Sequence, residues 1–406
     1  MNFVKTKDGR SYLVPFLLIT SLFFLWGFAH SILDVLNKYF QDAMEMSKTR
    51  SALIQAVVYG GYFLMALPAG AVITRWGYRV GVLTGLLLYG IGALLFIPGG
   101  QLMNFEFFLF SLFIIGCGLT FLETSANPYA TVLGDPESAE RRINFSQSFN
   151  GLGWILGPLV GGMFLFTEPG EEPNITLPYA IIGCVVLIIA GVFGRMKLPE
   201  IEAAPETTDD LIETDEPVKE ISLFRHKNFL FGLLAIFLYV AAQTGINSFF
   251  INYAHENAGL KESTAATLLG FGCMGLFMLG RMGGSWAMGH IKAERLLMIL
   301  GIGATLATTL VVALPHTLGF YALFAVYFCE SIMFPTIFAL ALRGLGAHTK
   351  MASSFLIMGI VGGAIAPLLM GYIADKHNMA LGFIVPLVCF VVITAYAYYV
   401  VRKSSK

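Results

Sequence analysis

The stretch "FLWGFAHSILDVLNKYF", residues 24–40, decides the fold because it occurs twice. Laid without gaps on "FLYVAAQTGINSFFINY", residues 237–253, it sets Asp34 over Asn247. Two further matches follow in the same order. Glu123 stands five residues before Pro128, and Glu330 stands five before Pro335. "GWILGPLVGG" from Gly153 is echoed by "GAIAPLLMG" from Gly363. Three ordered matches indicate a duplicated unit, and every one of them falls inside an apolar run.

Those runs set the class. The chain of 406 residues is 56% hydrophobic and 13% charged, with a mean hydropathy of +0.73. A soluble domain carries about 25% charged residues. Twelve apolar segments lie near 12–40, 50–74, 79–98, 104–134, 143–167, 177–195, 229–255, 263–290, 294–314, 317–345, 350–374 and 379–401. Segments of this length and polarity cross a bilayer as helices, because lipid offers no partner for an open backbone. The fold class expected is therefore an all-α membrane protein of twelve transmembrane helices. "KLPEIEAAPETTDDLIETDEPVKEISLFRHK", residues 197–227, holds nine acidic residues between Glu200 and Glu220 and reads as a solvated linker. It divides the chain into six-helix bundles at 1–196 and 228–406. With both termini cytoplasmic, 19 of the 25 Lys and Arg residues fall on the inner side, which fixes the expected orientation in the inner membrane of a bacterium.

Several function classes drop out. A formal net charge of −1 gives no reason to expect a nucleic-acid partner. Five cysteines, all within apolar runs, read as small buried hydrophobes rather than a disulfide framework. No phosphate-loop, H-E-x-x-H or G-x-S-x-G motif is present, so neither an ATP-driven pump nor an enzyme is expected, and no cofactor is called for. Gly270, Gly272 and Gly275 spell G-x-G-x-x-G without a strand before them and read as close helix packing.

Four ionisable residues stand out inside the runs: Asp34, Glu123, Arg281 and Glu330. A charge at mid-bilayer costs about 2.5–3.5 kcal/mol on insertion scales, so such residues face a bundle interior or a watery cavity. Glu123 lies about 16 Å from the nearer helix end, close to mid-membrane. Asn127, four residues on, shares its face. On the next helix Gln147 and Asn150, three apart, also share one face. Such amides suit sugar hydroxyls as donors and acceptors. His30, Asp34 and Lys38 form a stripe at four-residue spacing, with Lys38 able to reach outward. Glu330 has two readings, a substrate contact or an ion pair with Arg281.

The resemblance is carried by "SLFFLWGFAHSILDVLNKYFQ", "FLETSANPYATVLG", "INFSQSFNGLGWI", "YVAAQTGINSFFINYA", "GRMGGSW", "FPTIFALALRGLG" and "SSFLIMGIVGGAIAP". Together these resemble the L-fucose–proton symporter family of the major facilitator superfamily. That resemblance implies a proton-coupled monosaccharide symporter working by alternating access, with Glu123 and Asp34 as coupling carboxyls. It matches Gln147 and Asn150 to polar cavity residues; Asn127 on the face of Glu123, Gln243 in "AQTG", and Asn247 and Glu330, which the repeat sets over Asp34 and Glu123, complete the candidate sugar site. The partners implied are a monosaccharide, H+ (with Na+ the alternative) and the lipid bilayer, for a monomeric carrier. The alternatives are a sodium-coupled glucose/galactose or N-acetylglucosamine carrier of the same family, and a drug–proton antiporter on the same scaffold. Ser31, Asn247 and Glu330 depart from the fucose pattern and bear on which sugar is carried.

Overall fold

The structure, a computed structural model, describes residues 4, 12–133, 139–166, 174–195, 223–288, 290–343, 345 and 349–404; the side chains of some helical residues, Asn127 and Asn144 among them, lie outside that description. The described residues hold twelve helices long and apolar enough to span a membrane, and no strand. They are α1 Leu13–Ala43, α2 Lys48–Ile73, α3 Arg75–Leu102, α4 Phe105–Val132, α5 Ala139–Leu165, α6 Thr176–Arg195, α7 Lys227–Ala258, α8 Glu262–Gly284, α9 Ala293–Ala313, α10 Thr317–Leu342, α11 Phe355–Lys376 and α12 Met379–Ser404. Most of the acidic linker falls outside the described residues.

The bundle has an apolar outside. Leu67, Met163, Ile188, Leu279 and Leu306 are all more than half exposed, whereas Asp34, Asn37, Gln55, Asn247 and Glu330 are buried. That inversion of the soluble pattern suits a lipid surround, where the solvent gains nothing from hidden leucines and helices associate through close packing and interhelical hydrogen bonds.

Small residues set the close approaches. α1 lies against α5 because Gly153 carries no side chain; a Cβ there would stand 2.4 Å from the Phe24 carbonyl oxygen. Ser31 Oγ donates across the same seam to the Gly153 carbonyl at 3.1 Å. Gly116 of α4 comes equally close to Val58 of α2. Gly270 and Gly272 are packing residues, as their lack of a preceding strand suggested. A Cβ on Gly270 would meet the Ile155 carbonyl at 2.6 Å, and one on Gly272 the Phe324 ring at 2.8 Å. In the first turn of α3 the chain kinks at Gly77, whose φ of +82° needs glycine. Cys117, Cys273 and Cys389 are buried as expected, but Cys184 is exposed on α6.

Bonds between the first six and the last six helices cluster at the end away from the chain termini. Asp375, near the end of α11, accepts from the Lys48 and Thr49 backbone N–H groups at 2.9 and 2.8 Å and from Thr49 Oγ1 at 2.6 Å. Lys48 pairs with Glu256 at 3.0 Å. Asn252 Nδ2 donates to Gln41 Oε1, and Asn37 Nδ2 to the Ser248 carbonyl, each at 2.6 Å. The deepest such bond, Thr244 Oγ1 to Tyr59 Oη at 3.1 Å, lies near mid-helix.

Overpacking typically costs about 1–3 kcal/mol. Gly153→Val should therefore lower the melting temperature of the purified protein by several degrees. Gly191→Ala, where a Cβ meets nothing within 4 Å, should not. Equal melting temperatures for the two variants would contradict the α1–α5 packing.

Candidate functional site

Where α1, α2, α5 and α7 meet, a cavity of about 40 Å³ is lined by His30, Asp34, Gln55, Tyr59, Trp154, Gln243, Thr244 and Asn247. Three of the sequence-predicted residues, Asp34, Gln243 and Asn247, are thus brought together across the two sets of six helices. A space of that size holds only a few waters, at about 10–15 Å³ each. A monosaccharide requires the helices to part.

Asp34 is 2% exposed and takes one hydrogen bond, from Gln55 Nε2 at 2.9 Å. Its other oxygen has no protein partner, and neither does Asn247 Oδ1 across the cavity. Both are acceptors facing polar space, as a ligand rich in hydroxyl donors would use. Among the described residues no cation pairs with Asp34. Lys38, one turn away, instead bonds Asp42 at 2.6 Å and lies 3.7 Å from Glu262, so the stripe splits between cavity and closed end.

Glu123 lies in a separate apolar crevice with Leu22, Phe23, Trp26, Leu122 and Ala126. Its carboxyl lies near the Tyr62 side chain. Tyr62 Oη is also 3.0 Å from His30 Nε2, and His30 lines the Asp34 cavity with its ring stacked on Trp154. Glu123, Tyr62 and His30 therefore form a polar row from one acid's crevice to the other acid's cavity, with the Tyr62–His30 link hydrogen-bonded. Each member can donate and accept, which is what moving a proton along such a row requires.

The remaining predicted residues stand apart. Asn150 is buried against α1, where Nδ2 donates to the Phe23 carbonyl at 3.1 Å, so in this conformation it serves packing. Gln147 is half-buried one turn before it. The Asn127 side chain is outside the described residues. Glu330 is fully buried on α10 and is not among the cavity-lining residues. The ion pair with Arg281 does not form. Arg281 Nε donates to the Ser331 carbonyl at 3.3 Å, and its guanidinium sits 4.9 Å over Phe277. Sequence reasoning missed Gln55, Tyr59, Tyr62 and Thr244. Gln55 had a signal, as a lone amide in an apolar run; the tyrosines did not.

The family model of the Major Facilitator Superfamily matches residues 16–358. The chain belongs to that superfamily. It is 35% identical over 416 residues to the L-fucose-proton symporter of Escherichia coli, covering 96% of this chain and 94% of the relative. It is 34% identical over 400 residues to a glucose/galactose transporter of Brucella abortus, covering 97% and 95%. Among solved structures it superposes on the superfamily transporter FucP in the outward conformation with a TM-score of 0.69 and 34% identity, over 96% of this chain and 99% of that one. The twelve-helix fold is thus the major facilitator fold, in an integral membrane transporter.

Tyr62→Phe removes the hydroxyl that the buried His30 ring meets at 3.0 Å. An orphaned buried partner costs about 1–3 kcal/mol, so this variant should melt measurably below the wild type. Tyr372→Phe, more than half exposed, should melt with it. Unchanged stability for Tyr62→Phe would mean that the hydroxyl does not hold the His30 ring in place.

Proposed function

We propose that this transporter is a proton-coupled monosaccharide symporter, taking up L-fucose or a related hexose, with Glu123 as the carboxyl that loads and releases the proton. The observation that carries this reading is the row of polar groups from Glu123 through the hydrogen-bonded Tyr62–His30 pair to the cavity of Asp34, Gln243 and Asn247. A sugar presents hydroxyls on several sides, and these amides, hydroxyls and one carboxylate can meet them. Trp154 offers an apolar wall for a ring. The names of the relatives support the same class, one fucose and one glucose/galactose, at nearly equal identity. A cavity so dense in polar groups argues against a drug carrier.

In the cycle, the chain's two six-helix bundles, 1–196 and 228–406, rock about the sugar between them. Both termini are cytoplasmic, as the Lys and Arg distribution supports, so the end held by Asp375 faces outward. Protonated Glu123 is neutral, and its crevice can close and cross. Deprotonated, it is a bare carboxylate in an apolar crevice, and closing over it is costly. The empty, unprotonated carrier is therefore slow to switch, which ties sugar movement to the proton. Asp34 accepts from sugar hydroxyls, and its bond to Gln55 holds it in position.

Proteoliposomes offered labelled L-fucose, D-glucose, D-galactose and N-acetylglucosamine, under imposed proton or sodium gradients, test this reading. Accumulation of one or more sugars with an acidic exterior is expected. Accumulation driven by sodium alone would instead favour the second reading, a sodium-coupled hexose carrier. Glu123→Gln should abolish accumulation against a gradient while sugar-for-sugar exchange persists, because glutamine imitates the neutral acid. If that variant still concentrates sugar, Glu123 is not the proton carrier.

The closed end gives a second test. In a cysteine-free background carrying Gln243→Cys, Asp375→Ala should speed labelling by a membrane-impermeant maleimide added outside, by several-fold. An unchanged rate would show that the Asp375 bonds do not hold the outer end shut.

A further inference from the structure

The last six helices contain a second buried acid with a built environment of its own. α10 breaks at mid-membrane: its first part ends at Glu330, and helix resumes at Met333. Pro335 has no N–H to offer the Ser331 carbonyl four residues back. Arg281 of α8 supplies the donor instead. Opposite the break, α8 is π-helical over Leu268–Met274, a rare winding that recurs at functional sites. The regular part of α8 that follows packs tightly on the break, since a Cβ on Gly280 would stand 2.5 Å from Ser331 Oγ.

Glu330 sits at this break, 0% exposed, with no protein partner for either oxygen. The titratable and charged groups around it are Tyr239 from α7, Cys273 from the π-helical segment, Tyr327 and Cys329 from its own helix, and Arg281, which reaches Tyr239. The Tyr239 and Tyr327 hydroxyls also lack partners. The carbonyl end of a helix adds partial negative charge at the same place. A bare carboxylate here has neither water, a donor nor a favourable dipole to hold it, so something must neutralise it.

The sequence repeat says what. The alignment that sets Asp34 over Asn247 also sets Trp26 over Tyr239, and the shared proline spacing sets Glu123 over Glu330. Trp26 lines the crevice of Glu123, and Tyr239 lies beside Glu330. The same pairing of a helix-one aromatic with a helix-four acid is therefore present in both copies of the duplicated unit.

We propose that Glu330 is a second proton-loading carboxyl, flanked by Tyr239 and Tyr327, so that each turn of the transporter carries one proton in each half. The inference rests on the proton-coupled reading above. The step is a simple dissociation: the Glu330 carboxyl gives up H+ to water when the bundles move, and Arg281 leaves the Ser331 carbonyl to pair with the carboxylate. Its bond to that carbonyl, at 3.3 Å, is long, and its side chain is flexible enough to make the exchange. The pair restores neutrality, so the discharged half can persist until it is reloaded.

The ratio of protons to sugar tests this. Full-length protein in proteoliposomes is given labelled L-fucose or D-galactose, whichever is taken up, and H+ and sugar fluxes are recorded together. About two protons per sugar are expected for the wild type and about one for Glu330→Gln. A ratio of one in the wild type, or an unchanged ratio in the variant, overturns the proposal and leaves Glu123 coupling intact. Sugar movement by the wild type without any proton overturns the proton-coupled reading itself. If Glu330→Gln does not reach the membrane, the wild-type ratio alone decides: two supports the second site, one removes it.

Discussion

A carboxyl in the interior of a membrane protein must find hydrogen-bond donors, a counter-charge or a proton. Three such carboxyls, Asp34, Glu123 and Glu330, occupy the interior of this bundle, and each meets that constraint differently. Asp34 has the Gln55 amide and a cavity large enough for a little water. Glu123 has the Tyr62 side chain nearby and apolar walls. Glu330 has neither. The polar residues of α1, α2 and α7 are arranged about these groups, and the apolar exterior shields them from lipid. A transporter needs groups whose charge is expensive in one conformation and tolerable in another, because only that difference can bias the switch between them.

The conformation described has the contacts at the Asp375 end made and its polar cavity nearly closed. One carboxylate, Asp375, takes three donors from the turn before α2. These bonds lie at the exposed edge, where water can replace them, so the closure they supply is modest and reversible. Deeper down, the Thr244–Tyr59 bond joins the same two sets of helices through side chains that also line the cavity. A ligand entering from the Asp375 end must displace both layers.

Much of this was legible in the residues. Twelve apolar runs, the acidic linker and the duplication gave the fold, because lipid permits so few backbone solutions that hydropathy decides. Asp34, Glu123 and Glu330 announced themselves as charges where charge is costly. Gln243 and Asn247 line the cavity as the repeat and the resemblance suggested, while Asn150 turned out to hold α5 on α1. What stayed hidden was register between helices. No spacing in the chain says that Tyr62 of α2 meets His30 of α1 and lies near Glu123 of α4, or that Lys38 turns to Asp42 and Glu262 and leaves Asp34 alone. Such contacts depend on where glycines such as Gly153 and Gly116 let backbones approach, and this is decided by three-dimensional packing.

The central claim is that sugar and proton cross together. The most direct measurement is the pH of a lightly buffered suspension of proteoliposomes, with no gradient imposed, when sugar is added outside. The account predicts prompt alkalinisation of the medium as protons enter with the sugar, and no such signal from Glu123→Gln vesicles under the same conditions. Labelled sugar entering wild-type vesicles while the external pH stays flat would contradict it.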